Sequence, residues 1–343
     1  MIEMPRLTKI SNGFPVGWKA GSLEKEIYQV ISDKIKASDE GHFLLLNTTW
    51  MHDDNVSDII TRINPDSIVA TNFVDPAIAN IYAMIRTAGK PYTIIGNSSE
   101  YRVDFWAIAC LRFFRQYEPA ELQLNDQAKK YICYNRKPHQ HRVELAERLR
   151  ATFPDDGYVT LGLSGSALTL DENFYDDQGI NDEFASLPDA PQPTDGKIRN
   201  DIYSLGDLRY WRDALLNIVT ETEFLNPVRS DFFISEKTWK PVIGLRPFFV
   251  YAQPDLLSYL EDQGFDIFRD IVHYPDLTKI RPHQIMDSYI NCALETIDGI
   301  DDPTSLYASI LPRLIANRER FFVYAQEQMD RLNNIDIGSL LRV

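Results

Sequence analysis

The 343-residue sequence predicts an α/β protein built on two parallel sheets. Three observations lead there. Short apolar runs alternate with segments whose apolar residues recur at helical spacing, the pattern of strand–helix–strand units. That alternation begins twice, near Phe43 and again near Lys129. The length also exceeds the roughly 100–200 residues of one ordinary domain. Hydrophobic residues make up 44% and charged residues 25%, enough for two cores and a solvated surface.

In the first half, residues 43–47 read as a strand. A helix over 54–63 follows, with Val56, Ile59, Ile60 and Ile63 on one side. The turn Asn64-Pro65-Asp66 leads to a strand at 67–71, a helix at 76–88 closed by Gly89, and a strand at 91–95. The second half starts with a strand at 130–134, a basic loop at 135–142, a helix at 143–152 and a strand at 158–162. Residues 164–208 break the rhythm; they are acidic and rich in turn formers, which suits either a lid or a solvated connector. A strand at 215–220, a helix at 233–243 entered through Ser235, a strand at 246–251 and a helix at 255–263 ended by Gly264 resume it. The segment 284–333 reads as amphipathic helix. The expected organisation is two Rossmann-like domains facing a cleft, 1–127 and 128–310, with 311–343 returning to the first. In such folds ligands bind outside the carboxyl ends of the strands, so polar clusters directly after strands are the site candidates.

Composition narrows the partners. Lys plus Arg is 35 against 50 Asp plus Glu, a formal net charge of −15. A protein that holds nucleic-acid phosphates needs a basic face, so the charge disfavours that partner unless a local basic cleft serves. Cys110, Cys133 and Cys292 are too few and too scattered for a disulfide framework or a cysteine zinc site. The first ten residues lack the apolar core of a signal peptide, and no apolar run approaches the roughly 18 residues of a membrane span. The expected compartment is reducing and cytoplasmic.

Three clusters suit chemistry. The first joins Thr220-Glu221-Thr222 at a strand end to Ser235-Glu236-Lys237 at a helix start. Backbone N–H groups at a helix start favour anions, and Lys237 adds a point charge suited to a diphosphate. Glu236 suits ribose or sugar hydroxyls. The competing reading makes Ser235 a plain N-cap and Glu236–Lys240 a surface i,i+4 pair. The second cluster, Asn135, Arg136, Lys137 and Arg142, places cations between a strand and a helix, which suits phosphate or else a solvated basic turn. His139 and His141 in that loop are either solvated or touch phosphate, and no ligand spacing around them builds a metal site. The third is a set of strand-end carboxylates, Asp53, Asp54, Asp75 and Glu100, each a candidate general base or an ordinary cap or surface charge. Glycine-rich phosphate loops, a serine nucleophile elbow and an Asp-x-Asp after a strand are absent.

The run Ser235-Glu236-Lys237-Thr238-Trp239-Lys240-Pro241 resembles the donor-domain motif of GT-B glycosyltransferases, in particular the α1,3-fucosyltransferase-like group with its bacterial and phage cousins. The likeness extends over Val219 to Thr222, Gly244, Arg246 to Val250 and Leu260 to Phe268. Asn135 with Arg142 is similar to the family's Asn…Arg element. The interval between Glu221 and Glu236 is longer than in the fucosyltransferases, and Tyr101 stands where a proline follows the family's proposed base.

The resemblance implies a glycosyltransferase that uses a nucleotide-diphosphate sugar, GDP- or UDP-linked, with no metal and with inversion. It implies that Arg142 and Lys237 neutralise the leaving diphosphate, with Asn135, Arg136 and Ser235 beside them. Glu221 and Glu236 would bond ribose or sugar hydroxyls. Glu100 or Asp75 would take the proton of a glycan or small-molecule acceptor. The alternatives are a phage-type transferase acting on modified DNA bases, or a sugar- or nucleotide-binding module without catalysis.

Overall fold

The structure is a computed structural model. It describes residues 6–11, 21–37, 41–47, 53–72, 79–96, 101–114, 117–135, 139–160, 205, 208–222, 224, 232–253, 255–276 and 279–341. Two compact units divide the chain. The first comprises Met1–Ala109, Asn226–Phe233 and Ala325–Val343; the second comprises Cys110–Leu225 and Ile234–Tyr324.

The first unit holds a five-stranded parallel sheet, β1 (Arg6–Ser11), β2 (His42–Asn47), β3 (Ser67–Asn72), β4 (Tyr92–Gly96) and β5 (Tyr101–Arg102), in sequential order. The helices α1 (Gly21–Lys36), α2 (Asp53–Ile63), α3 (Ala79–Thr87) and α4 (Phe105–Phe114) lie between or after these strands in sequence. Strand β1, α1, β5 and α4 were not expected. The β1 segment mixes cations with apolar residues, β5 has two residues, and α4 is apolar all round and so lacks helical periodicity. Leu44, Leu46, Ile68, Ala70 and Ile94 point to one face and pack with Val56, Ile59 and Ile60 of α2 and Ile81, Tyr82 and Ile85 of α3. The opposite face, with Phe43, Leu45, Val69 and Ile95, is equally buried, and helix α11 (Ile337–Leu340) packs on β4. The backbone N–H of Asp104 donates to Gln328 Oε1 at 3.1 Å, and the Arg331 guanidinium lies 4.6 Å from the Tyr101 ring centre. These contacts fasten the C-terminal segment to the first unit.

The second unit holds a four-stranded parallel sheet of β6 (Lys129–Cys133), β7 (Gly157–Val159), β8 (Ala214–Thr220) and β9 (Phe248–Tyr251) in the order β7-β6-β8-β9. Its helices are α5 (Gln140–Thr152), α6 (Leu208–Arg212), α7 (Glu236–Ile243), α8 (Asp255–Asp262), α9 (Ile285–Asp298) and the greater part of α10 (Pro303–Asn333). The sheet is buried on both faces, as parallel strands require. The chain passes from β6 outward to β7, then returns to the other side of β6 as β8. That reversal is the topological switch point at which parallel sheets open a crevice. The first sheet, wound in one direction, has no such reversal.

Several boundaries differ from expectation. Helix α5 begins at Gln140, so His141 and Arg142 stand in its first turn and not in the preceding loop. Helix α7 begins at Glu236, because Ser235 takes the extended N-cap geometry (φ −121°, ψ −177°). Strand β9 starts only after Pro247, which has no N–H for the ladder. The tail forms two helices, α9 and α10, broken between Gly299 and Asp302. Gly89 and Gly264 carry φ of +66° and +83°, the left-handed conformation that lets each follow its helix end. The 164–208 segment lies outside the described residues except for Leu205 and Leu208. Among the described residues no helix is long and apolar enough to cross a membrane.

Arg246 stitches the amino-terminal edge of the second sheet. It has no exposed surface. Its guanidinium donates to the carbonyls of Ala214 (2.8 Å), Leu122 (2.8 Å), Leu245 (2.8 Å), Gly244 (3.2 Å) and Trp211. The Tyr307 ring centre is 5.1 Å away. Burial pushes the pKa down to about 10, which still leaves the group charged at neutral pH. Arg246→Met removes the charge and leaves those carbonyls without their donor. It is expected to cost about 3–5 kcal/mol, read as a lower urea midpoint by intrinsic fluorescence.

Candidate functional site

The carboxyl ends of β6 and β8 meet at the switch point, and the candidate residues gather there. Strand β8 ends at Thr220, and Glu221 follows it. Glu221 has no exposed surface, yet all of its acceptor capacity is used. Its Oε1 accepts from the Ser235 backbone N–H (3.1 Å) and the Thr238 hydroxyl (2.6 Å). Its Oε2 accepts from the Ser235 hydroxyl (2.7 Å) and the Thr222 backbone N–H (3.1 Å). These four bonds tie the side chain to the amino-terminal end of α7. Ser235 in turn caps α7, its Oγ accepting from the Lys237 N–H at 3.3 Å.

The other strand end is tied to this hub through the backbone. Arg142, buried in the first turn of α5, donates to the carbonyls of Thr220 (3.2 Å) and Glu221 (3.0 Å). Nε2 of His141 lies 3.3 Å from the same Glu221 carbonyl. The Thr220 hydroxyl donates to Asn135 Oδ1 (2.7 Å). The Asn135 N–H donates to Thr160 Oγ1 (2.8 Å) at the end of β7, and its Nδ2 faces Cys133 Sγ (3.2 Å). Burial pushes the Cys133 thiol up to about 12, so it is an inert packing group.

Lys237 is the most exposed of these side chains at 31%. Its ammonium lies 3.0 Å from Glu236 Oε1, 3.2 Å from Ser235 Oγ and 3.3 Å from Thr222 Oγ1. Burial acts to raise the Glu236 carboxyl, but the charges of Lys237 and Lys240 and the bond from Lys237 outweigh it and hold the group below the usual carboxylate range. Around Glu221 and Glu236 stand Arg142, Lys237 and Lys240, one more cation than carboxylate. In a chain of net charge −15 this is a local reversal of sign.

The geometry refines the expected roles. The backbone N–H groups of Ser235, Lys237 and Thr238 are already bonded within the chain. An anion here would be held by side-chain cations, not by open helix amides. Glu221, enclosed and fully bonded, positions the turn and has no surface for a ribose hydroxyl. His141 is neither solvated nor in a loop; it packs between Phe224 (5.5 Å, stacked) and Tyr251 (5.5 Å, edge-on). Lys240 is buried and does not form a surface pair. Trp239 packs inward against Phe265, Phe321 and Tyr324, as its position suggests. Asp75, Glu100, Arg136 and Lys137 lie outside the described residues, and Asp53 and Asp54 open α2. Thr160 was missed, and Thr222 and Thr238 stood in the expected cluster and motif without a role. Thr238 occupies the third helical position after a serine cap. Among the described residues no group of three His, Cys, Asp or Glu is placed to hold a metal.

Two groups give the site a pH dependence. Burial, and then the Arg142 charge, lower the His141 pKa from 6.5 to about 4. The unfolded chain therefore takes up this proton first. His141 contributes fully above about pH 6.5, and that contribution is lost between about 6.5 and about 4, up to about 3 kcal/mol in all. Glu236, with its pKa depressed, loses its share as pH falls through its lower folded value. Urea midpoints measured from pH 7 to pH 4 should fall steeply for the wild type and less steeply for His141→Gln.

No family model, curated protein or solved structure matches the chain.

Proposed function

We propose that the protein is a GT-B-type glycosyltransferase, with the second unit binding a nucleotide-diphosphate sugar beyond the ends of β6 and β8. One observation carries the reading. Asn135, Arg142, Glu221, Ser235, Glu236 and Lys237, which stand apart in sequence, form one hydrogen-bonded cluster at the strand-order reversal, and Lys240 beside it brings the cations to three against two carboxylates. Pyrophosphate groups sit at such reversals in parallel sheets.

In this reading the diphosphate replaces Glu236 and Ser235 as the partner of the Lys237 ammonium. Arg142, behind it, adds positive potential without moving, because its backbone bonds hold it. Glu236, released from Lys237, accepts a hydroxyl of ribose or sugar. Charge develops on the β-phosphate oxygen as its bond to the anomeric carbon breaks, and fixed cations there lower the barrier. The acceptor hydroxyl attacks the opposite side of that carbon, giving inversion, and a general base takes its proton; the candidates proposed for that base are Glu100 and Asp75.

The test is a thermal-shift panel of GDP and UDP, with and without magnesium, on wild type and Lys237→Ala. At 100 times Kd a ligand adds about 2.7 kcal/mol of apparent stability, a shift of a few degrees. One nucleotide should stabilise the wild type and not the variant. No shift with either nucleotide overturns the reading. Glu100→Gln or Asp75→Asn should then lower transfer to an acceptor by about 100-fold or more while nucleotide binding persists. Binding without transfer to any acceptor would make the protein a nucleotide-binding module.

A further inference from the structure

Gln253 stands at the carboxyl end of the second sheet, two residues beyond the last residue of β9. Its carbonyl accepts from the Leu256 N–H at 3.1 Å, which starts α8. The residue is 7% exposed. Among the described residues its Oε1 has no hydrogen-bond partner. Native chains rarely bury an amide oxygen unpaired, and one that persists is commonly met by a water, an ion or a ligand.

The strand pairing ties this group to the carboxyl edge that carries the site. Thr220 pairs with Tyr251, and the Glu221 N–H donates to the Tyr251 carbonyl at 3.2 Å. Gln253 follows Tyr251 by two residues, past the bend at Ala252, and so stands on the same carboxyl edge as Thr222, whose hydroxyl lies 3.3 Å from the Lys237 ammonium. The chemistry of the missing partner is restricted. An amide oxygen needs a hydrogen-bond donor, and phosphate oxygens at neutral pH accept. With the amide in this orientation the diphosphate cannot satisfy it. An uncharged O–H or N–H of the same ligand can.

We propose that Gln253 is a ligand-contacting residue of this site, its amide oxygen accepting a hydrogen bond from a hydroxyl or N–H in the neutral part of the nucleotide sugar. The inference rests on the nucleotide-sugar reading above and adds a division of labour. Lys237 reads the charge common to all such donors, and Gln253 reads a group that differs between them. A site that buries an acceptor discriminates strongly against ligands lacking the matching donor, because the acceptor is then left unpaired.

The test is Gln253→Met, close in volume but without the amide. Affinities for GDP, UDP, GDP-mannose and UDP-glucose are measured by calorimetry, beside the melting temperature of the free protein. The expected result is an unchanged or higher melting temperature with at least tenfold weaker binding of the preferred ligand. Loss for nucleotide and nucleotide sugar alike places the donor on base or ribose; loss for the nucleotide sugar alone places it on the sugar. Wild-type binding with unchanged affinity in the variant overturns this inference and leaves the nucleotide-sugar reading intact. A variant that melts lower or fails to fold shows that the oxygen has a structural partner, which also overturns it. A wild type that binds none of the four overturns both.

Discussion

The carboxylate of Glu221 is the interaction on which the second unit's carboxyl edge depends. Dehydrating one carboxylate is costly, and only a full set of donors offsets it. Here those donors come from the second residue after the strand, from the helix cap and from the third helical residue, so satisfying the charge also places the chain. The turn after β8, the entry of α7 and the angle between them are different views of one buried anion. Arg142 completes the arrangement from the other strand by holding the Thr220 and Glu221 carbonyls. Two opposite charges are thus built into one backbone corner, each acting on main-chain groups more than on the other.

This construction divides the cluster into a rigid floor and an adjustable surface. Asn135, Arg142, Thr220 and Glu221 are buried and bonded to backbone or to one another. Lys237 and Glu236 form the upper layer, where a partly exposed ammonium sits among three oxygen acceptors on a flexible stem. A lysine held this way can exchange neutral and carboxylate oxygens for phosphate oxygens without disturbing the floor. The helix dipole still contributes to the field, but its first-turn amides are occupied.

Much of this was legible in the sequence, for physical reasons. The central strands of both sheets are continuous apolar runs, because parallel sheets are covered on both faces. The capped start of α7 was visible as Ser235 before Glu236 and Lys237. Strand β1 and the short β5 were not visible, since neither carries enough apolar pattern to mark itself. The interval between Glu221 and Glu236 read as too long. The reason is that Asn226–Phe233 belongs to the first unit, where Arg102 stacks 4.0 Å over the Phe232 ring. The roles of Glu221 and His141 could not be read from residue type. A glutamate after a strand looks alike whether it meets a ligand or a helix cap, and only the three-dimensional count of its donors separates the two.

The discontinuous first unit has a consequence for how the protein is made. Its sheet is encoded in the opening third of the sequence, yet Ala325–Val343, which belongs to it, follows the whole of the second unit. A ribosome adding residues at about 5–20 per second exposes β1 to β5 well before α11 exists to cover β4. During that interval the nascent sheet lacks part of its apolar cover and is a substrate for holding chaperones. A chain interrupted before Ala325 would hold every residue of the second unit but not of the first.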